Sequence, residues 1–147
     1  MRLLNKYRYI FNGHPEVPEP WVPIILEMIK ELDKEMRPRY IPLWFVNMLY
    51  DLSKSTVVGA YYLNSFIGDF SIDYIKQKFA TLRIVGNFTR YESLITHYTN
   101  ICNNTCEFCG ATGTEKIMIK NWVTNVCNEC QIKHKKNGSN IWNNSSN

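Results

Sequence analysis

Two pairs of cysteines constrain this 147-residue chain more than any other feature. Cys106 and Cys109 form one Cys-x-x-Cys pair, Cys127 and Cys130 form the second, and 17 residues lie between the pairs. Structural zinc sites use this spacing, because two residues between sulfurs turn both thiolates toward one point and a loop of this length returns the second pair. The four cysteines are therefore the predicted ligands of one structural Zn²⁺ ion.

The segment between the two cysteine pairs has the pattern of a β-hairpin. Residues Glu115–Ile119 and Trp122–Val126 are its predicted arms, and Gly110 and Gly113 supply the positive φ angles that a metal-binding turn needs. An ion with four protein ligands has no open position for a reactive water. The predicted zinc is therefore structural rather than hydrolytic.

The alternative for these cysteines is a pair of disulfides, which requires an oxidising compartment. Lys6 and Arg8 interrupt the apolar run that a secretory signal would need, and no stretch approaches the roughly 20 apolar residues that span a bilayer. We therefore expect a cytoplasmic chain with no membrane partner. Cys102 is predicted to be a core residue or a substitute ligand, and His134 could replace Cys130.

The rest of the chain alternates between helical and strand-like patterns. Apolar residues at helical spacing predict a helix between Pro23 and Pro38 and another over 89–101. We also expect a helix over 43–52, behind Pro42, although the continuous apolar run 43–46 would equally suit a buried strand. The 53–70 segment favours strand, and 71–88 contains two strand-like pieces, around 72–75 and 81–85, with residues 76–78 between them. The predicted class is α+β, with N-terminal helices packed on a small antiparallel sheet and a C-terminal zinc ribbon. The predicted units are an α+β body with a proline-rich entry (1–101), the zinc ribbon (102–136) and a polar tail (137–147) in which Trp142 could dock.

Four short motifs follow one another in the chain: Trp21-Val22-Pro23-Ile24-Ile25; Ile75-Lys76-Gln77-Lys78-Phe79 with Leu82-Arg83; Cys106-Glu107-Phe108-Cys109-Gly110; and Trp122-Val123-Thr124 before Cys127. Their order resembles a family of small uncharacterised phage-type proteins. The chain departs from that pattern where Ala80-Thr81 replace paired glycines and Asn121 replaces a glycine. The resemblance implies a viral context and an α+β body with a zinc ribbon, and it supplies no activity.

No catalytic motif accompanies the cysteines. The three histidines, His14, His97 and His134, lie outside any nucleophile or metal motif, and the sequence contains neither a phosphate-binding Gly-Lys-Ser/Thr loop nor Gly-x-Gly-x-x-Gly. Glu107, between the first two ligands, could support the site or be a surface charge. We therefore expect a non-enzymatic binding protein.

The net charge of +4 is compatible with polyanion binding without requiring it. The candidate nucleic-acid contacts are basic residues near aromatic ones: Lys76, Lys78, Arg83 and Arg90 with Phe79, Phe88 and Tyr91, and Lys116, Lys120 and Lys133 with Trp122. Phe79 and Leu82 fit the core better than a stacking platform, and Trp122 could equally cap the zinc site.

The aromatic-rich 40–70 segment is the natural protein-binding surface, unless it is simply the main core. The preferred function is binding to nucleic acid or to a nucleic-acid-processing complex. The alternative partner is a host protein, bound by an inhibitor of a host anti-phage system, and the third possibility is a minor virion component. The oligomeric state stays open.

Overall fold

A computed structural model describes residues 2–136 and 141–142 of the chain. Its first half is helical: a short α1 (Arg2–Asn5) is followed by α2 (Val22–Met36), α3 (Leu43–Ser53) and α4 (Val57–Ile67). Helix α2 begins with Pro23 in its first turn and ends where Arg37 becomes extended before Pro38. These boundaries confirm the predicted first helix, and α3 confirms the helix expected over 43–52.

Helix α4 shows that the strand prediction for 53–70 was wrong. Thr56 caps the helix by accepting a hydrogen bond from the Gly59 amide at 3.1 Å, and Gly68 ends it with a φ of +76°. A Cβ added at Gly59 would lie 2.7 Å from the Leu52 carbonyl carbon, so this glycine lets α3 and α4 pack closely. Tertiary packing overrides the β propensity of the Val and Tyr residues here.

A two-stranded antiparallel sheet follows, and its first strand continues through residues 76–78, which the sequence prediction placed between the strands. Strand β1 (Ser71–Lys78) pairs with β2 (Thr81–Asn87), and a bulge lies between Ile72 and Tyr74. Helix α5 (Glu92–Asn103) then packs against β2 and α2, in the region predicted to be helical. The inner side of the sheet contributes Ile72, Ile75 and Leu82 to the same core as the buried residues of α2.

A buried polar cluster fastens the N-terminal segment to the helices. The Tyr9 hydroxyl donates to Asp33 Oδ1 at 2.5 Å, and the Arg37 guanidinium donates to both Asp33 oxygens at 2.8 and 3.0 Å. Arg37 also donates to the Ile41 carbonyl at 2.7 Å. Burial, followed by the Asp33 hydrogen bond, strongly raises the pKa of Tyr9. This cluster fixes the path of the chain from α2 into α3.

The C-terminal part forms a small ribbon. Strands β3 (Glu115–Ile119) and β4 (Trp122–Val126) form the predicted hairpin, α6 (Asn128–Lys136) follows, and β5 (Ile141–Trp142) pairs with β3. The architecture is therefore α+β, as predicted, with the cysteines clustered in its C-terminal part. Residues 137–140 and 143–147 of the predicted tail lie outside the described residues. Among the described helices, none has the length and hydropathy needed to cross a bilayer.

Candidate metal centre and basic surface

The four paired cysteines converge on one point. The Sγ atoms of Cys106, Cys109, Cys127 and Cys130 all lie within 4.8 Å of one another, and Cys109 and Cys127 are 3.5 Å apart. A tetrahedral ion with metal–sulfur distances near 2.3 Å would hold its sulfurs ~3.8 Å apart. The four thiols are free rather than joined in disulfides. Their spacing therefore fits a single metal ion, as the sequence predicts.

Each Cys-x-x-Cys pair is held by backbone amides that point at sulfur. The Phe108 amide donates to Cys106 Sγ and the Cys130 amide donates to Cys127 Sγ, both at 3.5 Å. Gly110, with a φ of +80°, closes the first turn by donating to the Cys106 carbonyl at 3.0 Å. Such donors favour the thiolate form that a metal needs.

The electrostatics of the cluster differ between its members. Burial alone would raise the pKa of Cys106, but amide groups of the two turns outweigh it and lower that pKa to about 7. Burial and the neighbouring thiols strongly raise the pKa of Cys130. Four thiolates this close repel one another, so a divalent cation is the group that stabilises all of them together.

Cys102 and His134 lie outside this cluster of four. Cys102 is fully buried in the main core, where burial raises the pKa of its thiol to about 12. The His134 ring lies 4.2 Å from the Phe108 ring, beside the first cysteine turn. Neither residue is therefore needed to complete a four-sulfur set.

Asn125, which the sequence analysis missed, joins the cysteine region to the rest of the protein. Its side-chain amide donates to the carbonyls of Ala80 and Asn103, both at 2.9 Å, and its backbone N–H donates to Glu107 at 3.0 Å. Gln77 of β1 donates to the same Glu107 oxygen at 3.2 Å. Glu107 thus links the first cysteine turn to β1 and β4, and burial raises the pKa of its carboxyl group.

Trp21 makes a second connection between the two parts. Its ring is completely buried, and its Nε1 donates to the carbonyl of Thr105, the residue before Cys106, at 3.0 Å. The sequence motif containing Trp21 predicted only the start of a helix. The contact between Trp21 and Thr105, which are 84 residues apart in the sequence, is seen only in the fold.

The structure brings together three of the predicted basic contacts on the outer side of the β1–β2 hairpin. Lys76 lies directly opposite Arg83, and Lys78 is two residues from Lys76, so all three share one side of the sheet. Lys116 of β3 reaches the same end of the hairpin, because its Nζ donates to Thr81 Oγ1 at 2.9 Å. We call these four residues the basic face.

The other three predicted basic contacts lie elsewhere. Arg90 follows β2 at the end of the sheet opposite the Lys78–Thr81 turn, in the 3₁₀ turn Thr89–Tyr91. Lys120 lies in the β3–β4 turn, at the other end of β3 from Lys116, and Lys133 is on α6. The predicted set of seven therefore does not form one surface.

Two aromatic side chains accompany the basic face. Phe79 is 62% exposed, so the expectation that it belongs to the core was wrong, whereas Leu82 is buried as expected. The Lys78 ammonium lies 5.7 Å from the Phe79 ring centre, and Lys76 lies 5.0 Å from that of Tyr74. Trp122 is also exposed, which contradicts the alternative that it caps the cysteine cluster.

Both hairpins turn without glycine. Phe79 and Ala80 join β1 to β2 with φ angles of 53° and 58°, and Lys120 and Asn121 join β3 to β4 with angles of 49° and 64°. Two consecutive positive φ angles define the turn that matches strand twist, which usually favours glycine. Ala80 and Asn121 stand where the resembled pattern has glycine, and they adopt a glycine-like conformation. The first of these turns holds Phe79 out in solvent.

The comparisons with known proteins add no assignment. No protein-family model and no curated protein matches the sequence, and no solved structure matches the fold. The resemblance to phage-type proteins thus rests on the motifs alone, and the function must be inferred from the cysteine cluster and the surfaces of the chain itself.

Proposed function

We propose that this protein is a non-enzymatic zinc-ribbon protein that binds nucleic acid through the basic face of its β1–β2 hairpin. The phage-type context, and with it the cytoplasm of an infected cell, belongs to the same proposal and is supported by the order of the sequence motifs. The observation that carries the binding function is the clustering of Lys76, Lys78, Arg83 and Lys116 beside two exposed aromatic rings.

The arrangement of charges supports a polyanionic ligand. Lys76 and Arg83 are directly opposed across the two strands, where like charges repel unless an anion lies between them. Glu16, which approaches Lys76 at 3.8 Å, is the acid that the structure pairs with this face. A phosphate backbone passing over the hairpin would neutralise the remaining cations and release counterions.

The exposed rings favour single-stranded nucleic acid over a closed duplex. Phe79 at the tip of the hairpin and Tyr74 on its outer side offer ring faces on which unpaired bases can stack. A positively charged track with aromatic side chains is the usual design of proteins that bind single strands without strict sequence preference. The paired bases of a duplex would leave Phe79 without a stacking partner.

Zinc has a structural role in this proposal. Four sulfur ligands suit Zn²⁺, and with all four in place the ion has no open position for a substrate or water. The ion would fix the two cysteine turns, and Glu107 and Asn125 would transmit that order to the Ala80 end of the basic face. Metal and binding surface are thus physically connected.

The test is fluorescence anisotropy of the metal-loaded chain with labelled single-stranded DNA, single-stranded RNA and duplex DNA over a range of salt. We expect affinity to fall as salt rises, and the double variant K78E/R83E to lose at least tenfold in affinity with a salt slope reduced by about 0.7 per lost contact on a single strand. F79A should weaken single-strand binding by about 1–3 kcal/mol and duplex binding less.

The matched control is K34E, which reverses one charge at an exposed position of α2 that is not part of the basic face. It should change affinity only through net charge, by much less than K78E/R83E. No rise in anisotropy with single-stranded DNA, single-stranded RNA or duplex DNA at low salt would refute nucleic-acid binding. Equal losses in K34E and in single K78E would reduce the effect to net charge.

A further inference from the structure

Helices α3 and α4 carry an uncharged apolar surface on the side that faces solvent. It consists of six large hydrophobic residues whose exposed fractions range from 39% to 69%. They are Trp44, Met48 and Leu52 on α3, and Val58, Tyr61 and Tyr62 on α4. We call this set the α3–α4 face. Its location in the 40–70 segment agrees with the part of the sequence predicted to bind protein.

The six residues form one surface because of their spacing. Residues 44, 48 and 52 recur every four positions on α3, and residues 61 and 62 lie three and four positions after 58 on α4, so each set forms one stripe. The opposite sides of the helices are already used: Val46 and Ile67 are buried in the core, and the Phe45 and Phe66 rings meet at 6.3 Å.

Helix α3 is also held in place from behind. Asn47 accepts a hydrogen bond from the Tyr9 amide at 3.3 Å and donates to the Lys6 carbonyl at 2.8 Å, while Arg8 and Asp51 form an ion pair at 2.6 Å. Asn47 is buried and fixes the inner side of α3, whereas the Arg8–Asp51 pair is exposed and ties α3 to the N-terminal segment at the edge of the apolar stripe. The α3–α4 face is therefore a preformed surface that could bind a partner without rearrangement.

The charge pattern indicates what the partner is. Between residues 43 and 67 the charged side chains are Asp51 and Lys54; Asp51 is paired with Arg8, and the Lys54 ammonium lies over the Tyr50 ring at 4.7 Å. Helices that lie on anionic membranes carry several Lys or Arg residues beside the apolar side, which this hairpin lacks. An uncharged surface is instead complementary to itself, since two copies can meet without like charges in contact.

The exposed area is also of the right size for a second copy. Four aromatic rings on and beside the α3–α4 face are 50–78% exposed, and at 150–250 Å² for each side chain they offer about 400–650 Å². They are Tyr40, Trp44, Tyr61 and Tyr62. The aliphatic members raise this toward the roughly 800 Å² per partner of a standard stable interface.

We propose that the α3–α4 face binds the same face of a second copy of this chain. The result is a symmetric dimer in which the two helical hairpins pack together, because a twofold axis brings one surface against itself. This inference is independent of nucleic-acid binding, since the face and the β1–β2 hairpin share no residue.

Sedimentation equilibrium of the metal-loaded full chain, without nucleic acid, tests the proposal. We expect about twice the 17.3 kDa chain mass at concentrations near 100 µM. W44E and Y61E should each shift the mass to that of one chain. In a symmetric dimer both copies place the substituted residue in the interface, so two charges are buried there. V85E, which adds the same charge at an exposed apolar residue of β2, should stay dimeric.

Hydrogen exchange of the unsubstituted chain at different concentrations provides a second measurement, which does not depend on whether a variant folds. Amides of 43–67 should be more protected at high than at low concentration. A wild-type chain that stays monomeric near 100 µM would overturn the proposal, whether it remains alone or floats with phosphatidylcholine/phosphatidylglycerol vesicles. A dimer that persists in both W44E and Y61E would place the interface elsewhere and also overturn it.

Discussion

The body and the cysteine ribbon are built on different physical principles. The body buries a continuous apolar core drawn from the N-terminal segment, α2, α3, α5 and the β1–β2 sheet, with Trp21, Met28, Ile29 and Leu32 wholly inaccessible. Among the residues whose burial the structure describes, the ribbon core contains three cysteines, Cys106, Cys127 and Cys130, beside Ile119 and Val126. Apolar burial can stabilise the body, whereas we expect the stability of the ribbon to depend on a metal ion bound by its cysteines.

From this difference we infer which part of the chain a bound metal ion would stabilise. Apolar burial contributes about 25 cal/mol per Å², and the two buried aliphatic residues described in the ribbon cover too little area to stabilise it by themselves. A structural zinc site in a small module contributes roughly 10–16 kcal/mol of apparent binding free energy. The body should therefore tolerate loss of metal, and the ribbon should not.

Cys127→Ser is expected to have the largest effect in the ribbon and a small one in the body. Loss of one sulfur ligand removes most of the metal-binding free energy, so amide signals of 106–136 should collapse while those of α2 and α5 keep their dispersion in a ¹H–¹⁵N spectrum. The matched variant is Cys102→Ser, which should keep one metal per chain but lower body stability by about 1–3 kcal/mol, because it buries a hydroxyl. An intact ribbon in Cys127→Ser, or loss of metal in Cys102→Ser, would contradict this assignment of the ligands.

Asp33→Ala is expected to destabilise the body by about 2–4 kcal/mol, because Tyr9 and Arg37 lose their shared buried acceptor. Urea unfolding followed by far-UV circular dichroism measures the change, and metal content should be unaffected. Lys30→Ala, which breaks the exposed Lys30–Glu27 pair, is the control and should cost less than about 0.5 kcal/mol. Equal losses of unfolding free energy in the two variants would show that the buried cluster does not stabilise the body.

Asn125→Ala tests the joint between the two regions. It leaves the Ala80 and Asn103 carbonyls without their buried donor, so we expect a loss of about 1–3 kcal/mol and faster hydrogen exchange on both sides of the joint. Asn100→Ala, on the exposed side of α5, should have little effect. Faster exchange confined to β4 would mean that body and ribbon are not coupled through this residue.

The two glycine-free turns give the smallest expected effect and a direct comparison between the regions. Lys120→Gly and Phe79→Gly each relieve a positive φ, and each should stabilise its hairpin by about 0.5–1 kcal/mol in thermal unfolding. Phe79→Gly should also weaken single-strand binding, while Lys120→Gly should not, because Lys120 lies away from the basic face. Equal binding losses would extend the surface to the β3–β4 turn.

The sequence predicted the ribbon better than the helical hairpin, for a physical reason. Metal-ligand spacing and strand alternation are local, so Glu115–Ile119 and Trp122–Val126 could be placed to the residue. The helical state of 57–67 goes with its packing against α3, where Gly59 closely approaches Leu52, and residue propensities do not report such packing. Valine and tyrosine therefore pointed to strand in a segment that is helical.

The candidate site shows the same division. Spacing identified the four cysteines, and residue type identified Lys76, Lys78 and Arg83, whose common side follows from strand period once the register is known. Asn125 carried no sequence signal, because its partners are 22 and 45 residues away. Phe79 was misplaced because its turn requires a backbone conformation that phenylalanine rarely adopts.

The most direct test of the metal-dependent ribbon is a titration of the reduced, metal-free chain with Co²⁺ and then Zn²⁺. We expect one Co²⁺ per chain to produce the visible absorption of a tetrahedral four-sulfur site, one Zn²⁺ to abolish it, and ribbon amide signals to appear with the metal. A metal-free chain with a folded ribbon and four freely reactive thiols at 106, 109, 127 and 130 would contradict it.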